Sequence, residues 1–309
     1  MRRVRNEGLC YARAMPDYEV KIVDAFTTQR YTGNPCGVIT RADGLSDRDM
    51  QNIARELNLS ETAFVFPSMR ADFSVRYFTP AKEIPLAGHP TIATMHTLVE
   101  EGRIELAEGG IRVTQELSIG ILPVDIAPGP DGIRVKMTQG RPEFQRRLDR
   151  HVFAQALGID ARDILEEVPP QVVSTGTPQV MIPVKSLEVL KRLKPDIQHL
   201  SDLETLNHYY STHVFAVDAF DPAHRTHARH FAASAGIPED PVTGSATGAM
   251  SAYLWRYGLL RETHYFAEQG HIVGRPGVVE VEVDADGDEP TEIRIAGSAV
   301  TVLRGTITV

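Results

Sequence analysis

Gly88-His89-Pro90-Thr91-Ile92-Ala93-Thr94-Met95-His96-Thr97-Leu98 is answered half a chain later by Gly244-Ser245-Ala246-Thr247-Gly248-Ala249-Met250-Ser251-Ala252-Tyr253-Leu254. Aligned without a gap, the two stretches share Gly88/Gly244, Thr91/Thr247, Ala93/Ala249 and Leu98/Leu254. Each sets glycine and a small polar residue at the mouth of an apolar helix. The first turn of a helix has unpaired N–H groups and the positive end of the dipole. Two such ends facing one cleft hold an anionic small molecule from both sides. The duplication therefore predicts an enzyme of two similar halves with its site between them.

Outward from the first copy, the chain alternates strand and turn. Val20, Ile22 and Asp24-Ala25-Phe26 read as a strand, Thr32-Gly33-Asn34-Pro35 as a turn, and Cys36–Thr40 as a second strand. Ser46 with Asp49 marks a helix start, and Met50, Ile53, Ala54 and Leu57 then share one face. Thr62–Phe66 and Asp72–Phe78 are strands, the latter alternating Phe73, Val75 and Tyr77 with polar residues. Further strands are expected at Ile111–Val113, Leu122–Ile126 and Ile133–Met137. Ala127-Pro128-Gly129-Pro130-Asp131-Gly132 between the last two reads as a linker. The division expected is residues 17–128, completed by residues 298–309, against residues 129–297. Beyond it, Asp149 caps a helix ended by Gly158, and Ser186–Lys194 forms a short one. Val172–Ser174, Val180–Val184, His213–Val217, Val278–Val283, Glu292–Ile295 and Val300–Val309 are the remaining strands. This mixture without regular βαβ alternation is α+β.

A chain of 309 residues suits two domains. Its net charge of −9 argues against a nucleic-acid surface, which needs a basic stripe. No apolar run is long enough to span a bilayer. Cys10 and Cys36 are too few for a disulfide framework and read as reduced thiols of a cytoplasmic protein. Residues 1–16 are basic and read as a disordered extension, or as sequence ahead of a true start at Met15.

Glu239-Asp240-Pro241-Val242-Thr243-Gly244-Ser245 is the most unusual segment. Asp240, Thr243 and Ser245 serve either as helix caps or as site residues, and the doubled motif favours the second. His89 at a helix start has its protonated form disfavoured by the dipole. Glu61 opens a very apolar strand, where burial would raise its pKa as a general acid or base requires. No phosphate-loop glycine pattern and no His-Glu-x-x-His is present. His224, His227 and His230 have no acidic or cysteine ligand among them and read as a polar helix face, so no metal is expected. Ser245 lacks a nucleophile elbow, which disfavours a hydrolase.

Taken together, these residues resemble the PhzF-like family, named for the phenazine biosynthesis isomerase. The matching blocks are Val23-Asp24-Ala25-Phe26, Gly33-Asn34-Pro35, Ser60-Glu61-Thr62, Phe78-Thr79-Pro80 and Gly88-His89-Pro90-Thr91. Ser174-Thr175-Gly176, Glu239 to Ala246, Glu268-Gln269-Gly270 and Gly274-Arg275-Pro276 complete them. The resemblance implies the diaminopimelate epimerase-like fold: two similar domains, each a curved, mostly antiparallel sheet wrapped around a central helix. It also implies a homodimer, a cofactor-free mechanism and a small carboxylate substrate. Related epimerases use a cysteine from each half; neither helix motif here carries one, so a two-thiol mechanism is excluded. The family's single catalytic glutamate corresponds to Glu61, with His89 and Asp240 as polar partners and Gly88, Gly244 and Ser245 binding substrate. Asn34, Thr177 and Arg275 are expected to tune substrate choice. The implied activity is proton transfer between two carbons. The alternatives are a non-catalytic binding protein and an acid–base lyase or dehydratase using the same site.

Overall fold

A computed structural model describes residues 17–309. The expectations for residues 1–16, Cys10 included, lie outside the described residues. The first half contains β1 (Asp17–Ala25), β2 (Asn34–Ile39), α1 (Asp47–Leu57), β3 (Glu61–Phe66), β4 (Phe73–Phe78), β5 (Glu83–Ile84) and α2 (Gly88–Glu100). It continues through β6 (Ile111–Leu117), β7 (Gly120–Gly129) and β8 (Gly132–Thr138). Next come β9 (Glu143–Arg147), α3 (Arg150–Leu157), β10 (Gln171–Ser174), β11 (Pro178–Pro183), α4 (Leu187–Arg192) and α5 (Ile197–Leu206). Then follow β12 (Ser211–Ala216), β13 (Thr226–Ala232), β14 (Ile237–Asp240), α6 (Gly244–Arg256), β15 (His264–Gln269), β16 (Gly277–Asp286), β17 (Glu289–Gly297) and β18 (Ala299–Thr308).

Local chemistry explains several of these boundaries. The Ser46 hydroxyl accepts from the Asp49 N–H at 3.2 Å, and the Asp49 carboxylate accepts from the Ser46 N–H at 3.1 Å. This reciprocal cap starts α1, a contribution of roughly 1 kcal/mol. Asn58 ends it in the left-handed region. Asp149 caps α3 through the His151 N–H, and Gly158 stops it with φ +67°. In β4 the buried Phe73, Val75 and Tyr77 alternate with half-buried Ser74 and Arg76, as one buried sheet face requires.

Strand pairing repeats. In the first half β2 runs parallel to β3, β3 antiparallel to β4, and β4 antiparallel to β5. After α2, β4 gains β6 in parallel, and β6, β7 and β8 form an antiparallel meander. In the second half β11, β12, β13 and β14 follow the same order. After α6, β13 gains β15 in parallel, and β15, β16 and β17 form the meander. The two runs join where β8 pairs with β17. The last strand, β18, returns to pair with β1, as β9 pairs with β10. Each run holds its own buried helix: α2 packs on β1, β2, β3, β8 and β18, and α6 on β10, β11, β16 and β17.

Two readings from sequence need correction. Ala127–Gly132 is not an open linker. Its first residues end β7, and the tight turn of the β7–β8 hairpin follows, with Gly129 opposite Gly132; proline and glycine mark a reversal as readily as a boundary. Residues 226–232 are not a polar helix face. They form β13, whose residues are all buried, and His227 and His230 are pairing positions in it. The unforeseen α5 starts at Asp196, which accepts from the His199 N–H at 3.0 Å.

Phe26 ties the halves together. It is 1 % exposed and holds φ +61°, a strained conformation for a bulky residue. Glycines make room for it: a Cβ on Gly297 would lie 2.5 Å from its Cδ1, and one on Gly244 2.8 Å from its Cζ. Its carbonyl accepts from the Val278 N–H at 2.9 Å. Phe26→Ala should therefore lose roughly 3–5 kcal/mol of stability, read as a lowered denaturant midpoint in urea unfolding.

Candidate active site

The helix starts of α2 and α6 face each other. A Cβ placed on Gly88 would lie 3.6 Å from the Ser245 nitrogen and 3.9 Å from the Gly244 Cα. Neither start is closed by a side chain: the N-cap positions are Ala87 and Thr243, and neither makes a capping hydrogen bond. First-turn N–H groups and two positive dipole ends thus converge on one small volume.

Glu61, the first residue of β3, reaches this volume. Its Oε2 lies 3.3 Å from Nε2 of His89, the second residue of α2. The pair is close but not aligned for a hydrogen bond, and His89 Nε2 is left buried without a partner. Asp240 ends β14 on the other side. Its Oδ1 accepts from Asn34 Nδ2 at 2.9 Å, and its Oδ2 from the Thr243 hydroxyl at 2.5 Å. Asn34 also donates to the Val242 carbonyl at 2.8 Å and accepts from the Ser60 hydroxyl at 3.1 Å. It spans from Asp240 to the neighbour of Glu61. The Asp240 carbonyl is held by Gln269 Nε2 at 2.7 Å. At the α6 start, Gln179 Nε2 approaches the Ser245 hydroxyl at 3.4 Å and its Oε1 accepts from Ser211 at 3.1 Å.

Burial sets the protonation states. It pushes Glu61 up to about 8, and the charge of Asp240 adds to the shift. Burial likewise raises Asp240 to about 6 against the hydrogen bonds from Thr243 and Asn34. His89 is pushed down to about 3 by burial, with its bond to the Pro35 backbone acting the other way. Neutral pH therefore meets a neutral imidazole beside two carboxyls that share their charge unequally. Cys36 sits opposite Glu61 in the β2–β3 register, but burial and the Glu61 charge push its thiol up, so it supplies no thiolate.

Glu61, His89, Asp240, Gly88, Gly244 and Ser245 are thus brought together. Asp240 is not a helix cap; it accepts from Thr243, which stands at the cap position. Arg275 lies one step back, donating to Asp24 Oδ1 at 2.7 Å and the Gly33 carbonyl at 3.0 Å beside Asn34. The reading from sequence missed Gln179, Gln269 and Tyr210. Burial pushes the Tyr210 phenol up, and the charges of Glu61 and Asp240 add to the shift. Tyr210 precedes β12 as Ser60 precedes β3, a correspondence visible only once the repeat is laid strand on strand.

The raised and lowered groups make a signed prediction. Glu61 binds its proton more tightly folded than unfolded, so its ionisation costs stability as pH rises from 4.5 to about 8. His89 resists protonation when folded, so stability is lost as pH falls from 6.5 towards about 3. Glu61→Gln should remove the alkaline loss, its stability advantage over wild type growing from pH 4.5 to 8 in urea melts.

Residues 23–305 match the family described as phenazine biosynthesis-like protein. An uncharacterized isomerase of Clostridium acetobutylicum is 44 % identical over 296 residues, covering 93 % of this chain and 97 % of that protein. The trans-2,3-dihydro-3-hydroxyanthranilate isomerase of Pseudomonas chlororaphis is 33 % identical, covering 93 % of this chain and 98 % of that one. A PhzF-family phenazine biosynthesis protein of Bacillus anthracis superposes with TM-score 0.87 at 35 % identity, over 96 % of this chain and 100 % of that one. A hydroxyproline epimerase of Agrobacterium vitis shares the fold, with TM-score 0.63 at 12 % identity over 95 % of this chain and 93 % of that one.

Proposed function

We propose, because this chain belongs to the phenazine biosynthesis-like (PhzF) family and is an isomerase of that family, that Glu61 moves a proton between two carbons of a small carboxylate. The observation that carries the reading is the Glu61 carboxyl, half-buried where two uncapped helix starts meet and 3.3 Å from His89. One carboxylate serves both steps when its pKa lies near the working pH. An ionised Glu61 takes a proton from an acidic carbon as the C–H bond breaks, and the electron pair spreads into the conjugated substrate. The same carboxyl returns the proton to another carbon of that system, so substrate and product have one formula.

The remaining groups match this task. First-turn N–H groups at Gly88, Gly244 and Ser245 bind the carboxylate or the developing enolate oxygen. His89, held neutral, donates a hydrogen bond without adding a competing positive charge. Asp240 binds a polar substrate group and keeps Glu61 basic through its own charge. No step in the scheme calls for a cofactor. In the same reading the chain works as a homodimer in the cytoplasm, and the structure has no helix long and apolar enough to cross a membrane among the described residues.

The probe is trans-2,3-dihydro-3-hydroxyanthranilate, the substrate in the Pseudomonas relative's name. In deuterium oxide the wild type should give an isomer carrying solvent deuterium at carbon, with kcat/KM rising as pH climbs from about 6 to about 8. Glu61→Gln should lower turnover by roughly 100- to 10,000-fold with the fold kept by circular dichroism. Binding without exchange across a panel of cyclic and conjugated carboxylates would make the chain a binding protein. Loss of water in the product mass would make it a dehydratase.

A further inference from the structure

A second cluster of ionisable side chains lies outside the cleft. In the parallel β13–β15 register His227 stands opposite Glu268, and His271 follows two residues after β15 ends. Neighbouring Gln269 serves Asp240, and successive strand residues point to opposite faces, so Glu268 faces away from the cleft. We propose that His227, Glu268 and His271 form a site for a divalent transition metal, zinc by the chemistry of its ligands, which anchors the loop from Gly270 to Pro276.

Ligand atoms of all three residues lie within 4.8 Å of one another. His227 is 0 % exposed, yet neither of its ring nitrogens has a hydrogen-bond partner, and His271 Nδ1 is buried and unpartnered too. A buried polar atom left unpaired costs about 1–3 kcal/mol. Three such nitrogens in one place call for an occupant. Tetrahedral zinc with ligands near 2 Å needs these atoms to close to roughly 3.3 Å, within reach of small side-chain rotations. Phe220 stacks on His271 with centroids 4.5 Å apart and planes 8° apart, which holds that ring on edge to the cluster.

The repeated fold separates what the scaffold needs from what it does not. The register of β4 and β6 sets Ser74 opposite Glu116, the positions matching His227 and Glu268. Glu116 ties down the loop before β4 through Ser68 and Arg70. Glu268 does the same work before β13, accepting from the N–H groups of Phe220 and Asp221 at 2.8 and 2.9 Å. The glutamate thus has a duty in both halves, but serine suffices where His227 stands. With His224 Nδ1 also at 2.7 Å, Glu268 keeps one lone-pair direction free.

The nearest cations, Arg229 and Lys191, bear on His227, but each is paired with an acid. Arg229 is bound by both oxygens of Glu239, and Lys191 by Glu188 at 2.7 Å. Two imidazoles and a carboxylate are zinc ligands, with water in the fourth place. The loop so anchored is tight at its base: Gly270 holds φ +87°, and a Cβ there would meet the Arg275 carbonyl at 2.2 Å. Its far end grips the first half through Arg275 on Asp24 and the Gly33 N–H on the Pro276 carbonyl at 2.8 Å. A metal at its root would stiffen the clip beside Asn34.

The test titrates chelator-treated full-length protein with zinc by calorimetry and follows thermal unfolding. One zinc per chain and a raised Tm are expected. His227→Phe and His271→Gln should each weaken binding by more than about 100-fold, while the exposed His151→Gln leaves it unchanged. X-ray absorption at the zinc edge of the wild type, which does not depend on the variants folding, should show two imidazoles and one carboxylate. No saturable binding by the wild type, binding unchanged in both cluster variants, or an edge spectrum without imidazole would overturn the proposal.

Discussion

Two helices are made to end nose to nose in the interior of this protein, and the rest of the structure answers to that constraint. An uncapped helix start is ordinarily an exposed feature, because water satisfies its N–H groups. Here the two starts face each other, a Cβ on Gly88 lying in contact range of Ser245 and Gly244. Like dipole ends facing each other repel. Negative charge between them relieves the repulsion, and the protein has two carboxyls, Glu61 and Asp240, beside the gap. Burial above all, and then repulsion by the Asp240 charge, holds Glu61 protonated well above its usual range. An anion arriving between the helices takes over part of the carboxyls' electrostatic role.

The repeated pairing order makes the asymmetry of the site measurable. Cys36 opposite Glu61 in the first half corresponds to Gln179 opposite Ser211 in the second, since Cys36 and Gln179 each pair with a valine of the preceding strand. Ile84, four residues before Gly88, corresponds to Asp240, four before Gly244; Ile84 pairs with Tyr77 as Asp240 pairs with His230. His89 corresponds to Ser245. The scaffold is doubled, but each acidic or imidazole group appears once. An enzyme that inverts a carbon by pulling on one side and pushing on the other needs matched acid–base groups. Here both acidic groups are carboxyls, and of the two Asp240 is tied by Asn34 and Thr243 while Glu61 is the freer to exchange a proton. Such a site suits moving a proton along one face of a molecule.

How much of this was legible in the sequence depended on the range of the interaction. The α1 cap, the β4 alternation and the two helix motifs are local, and Ser46, Phe73 and Gly88 announce them within a few residues. The family resemblance carried Glu61, His89 and Asp240, whose roles no local pattern would have fixed. Asn34 was noted only as a tuning position, although its amide bridges residues 206 positions apart. His227 and His230 were assigned to a helix face because their polar neighbours hide a strand that is buried on both sides. Glu268, the acid missing from that histidine group, lies 41 residues beyond His227 and arrives only through parallel pairing. Proline and glycine at Ala127–Gly132 signalled a reversal of direction, and a reversal inside a meander looks the same as one between domains.

The site also depends on what holds the two halves at their spacing. The side chains of Glu61 and His89 are 14 % and 6 % exposed, so little water competes at the gap. The contacts that fix the gap are of two kinds. Phe26 wedges among glycines of α6 and β17, and Arg275 grips Asp24 and the β1–β2 turn. The wedge is apolar and resists separation. The Arg275 grip is polar, and because Asp24 is only 2 % exposed, releasing Arg275 would strand a carboxylate away from water. Wedge and grip therefore act together, one apolar and one ionic, to hold the two helix starts at one spacing.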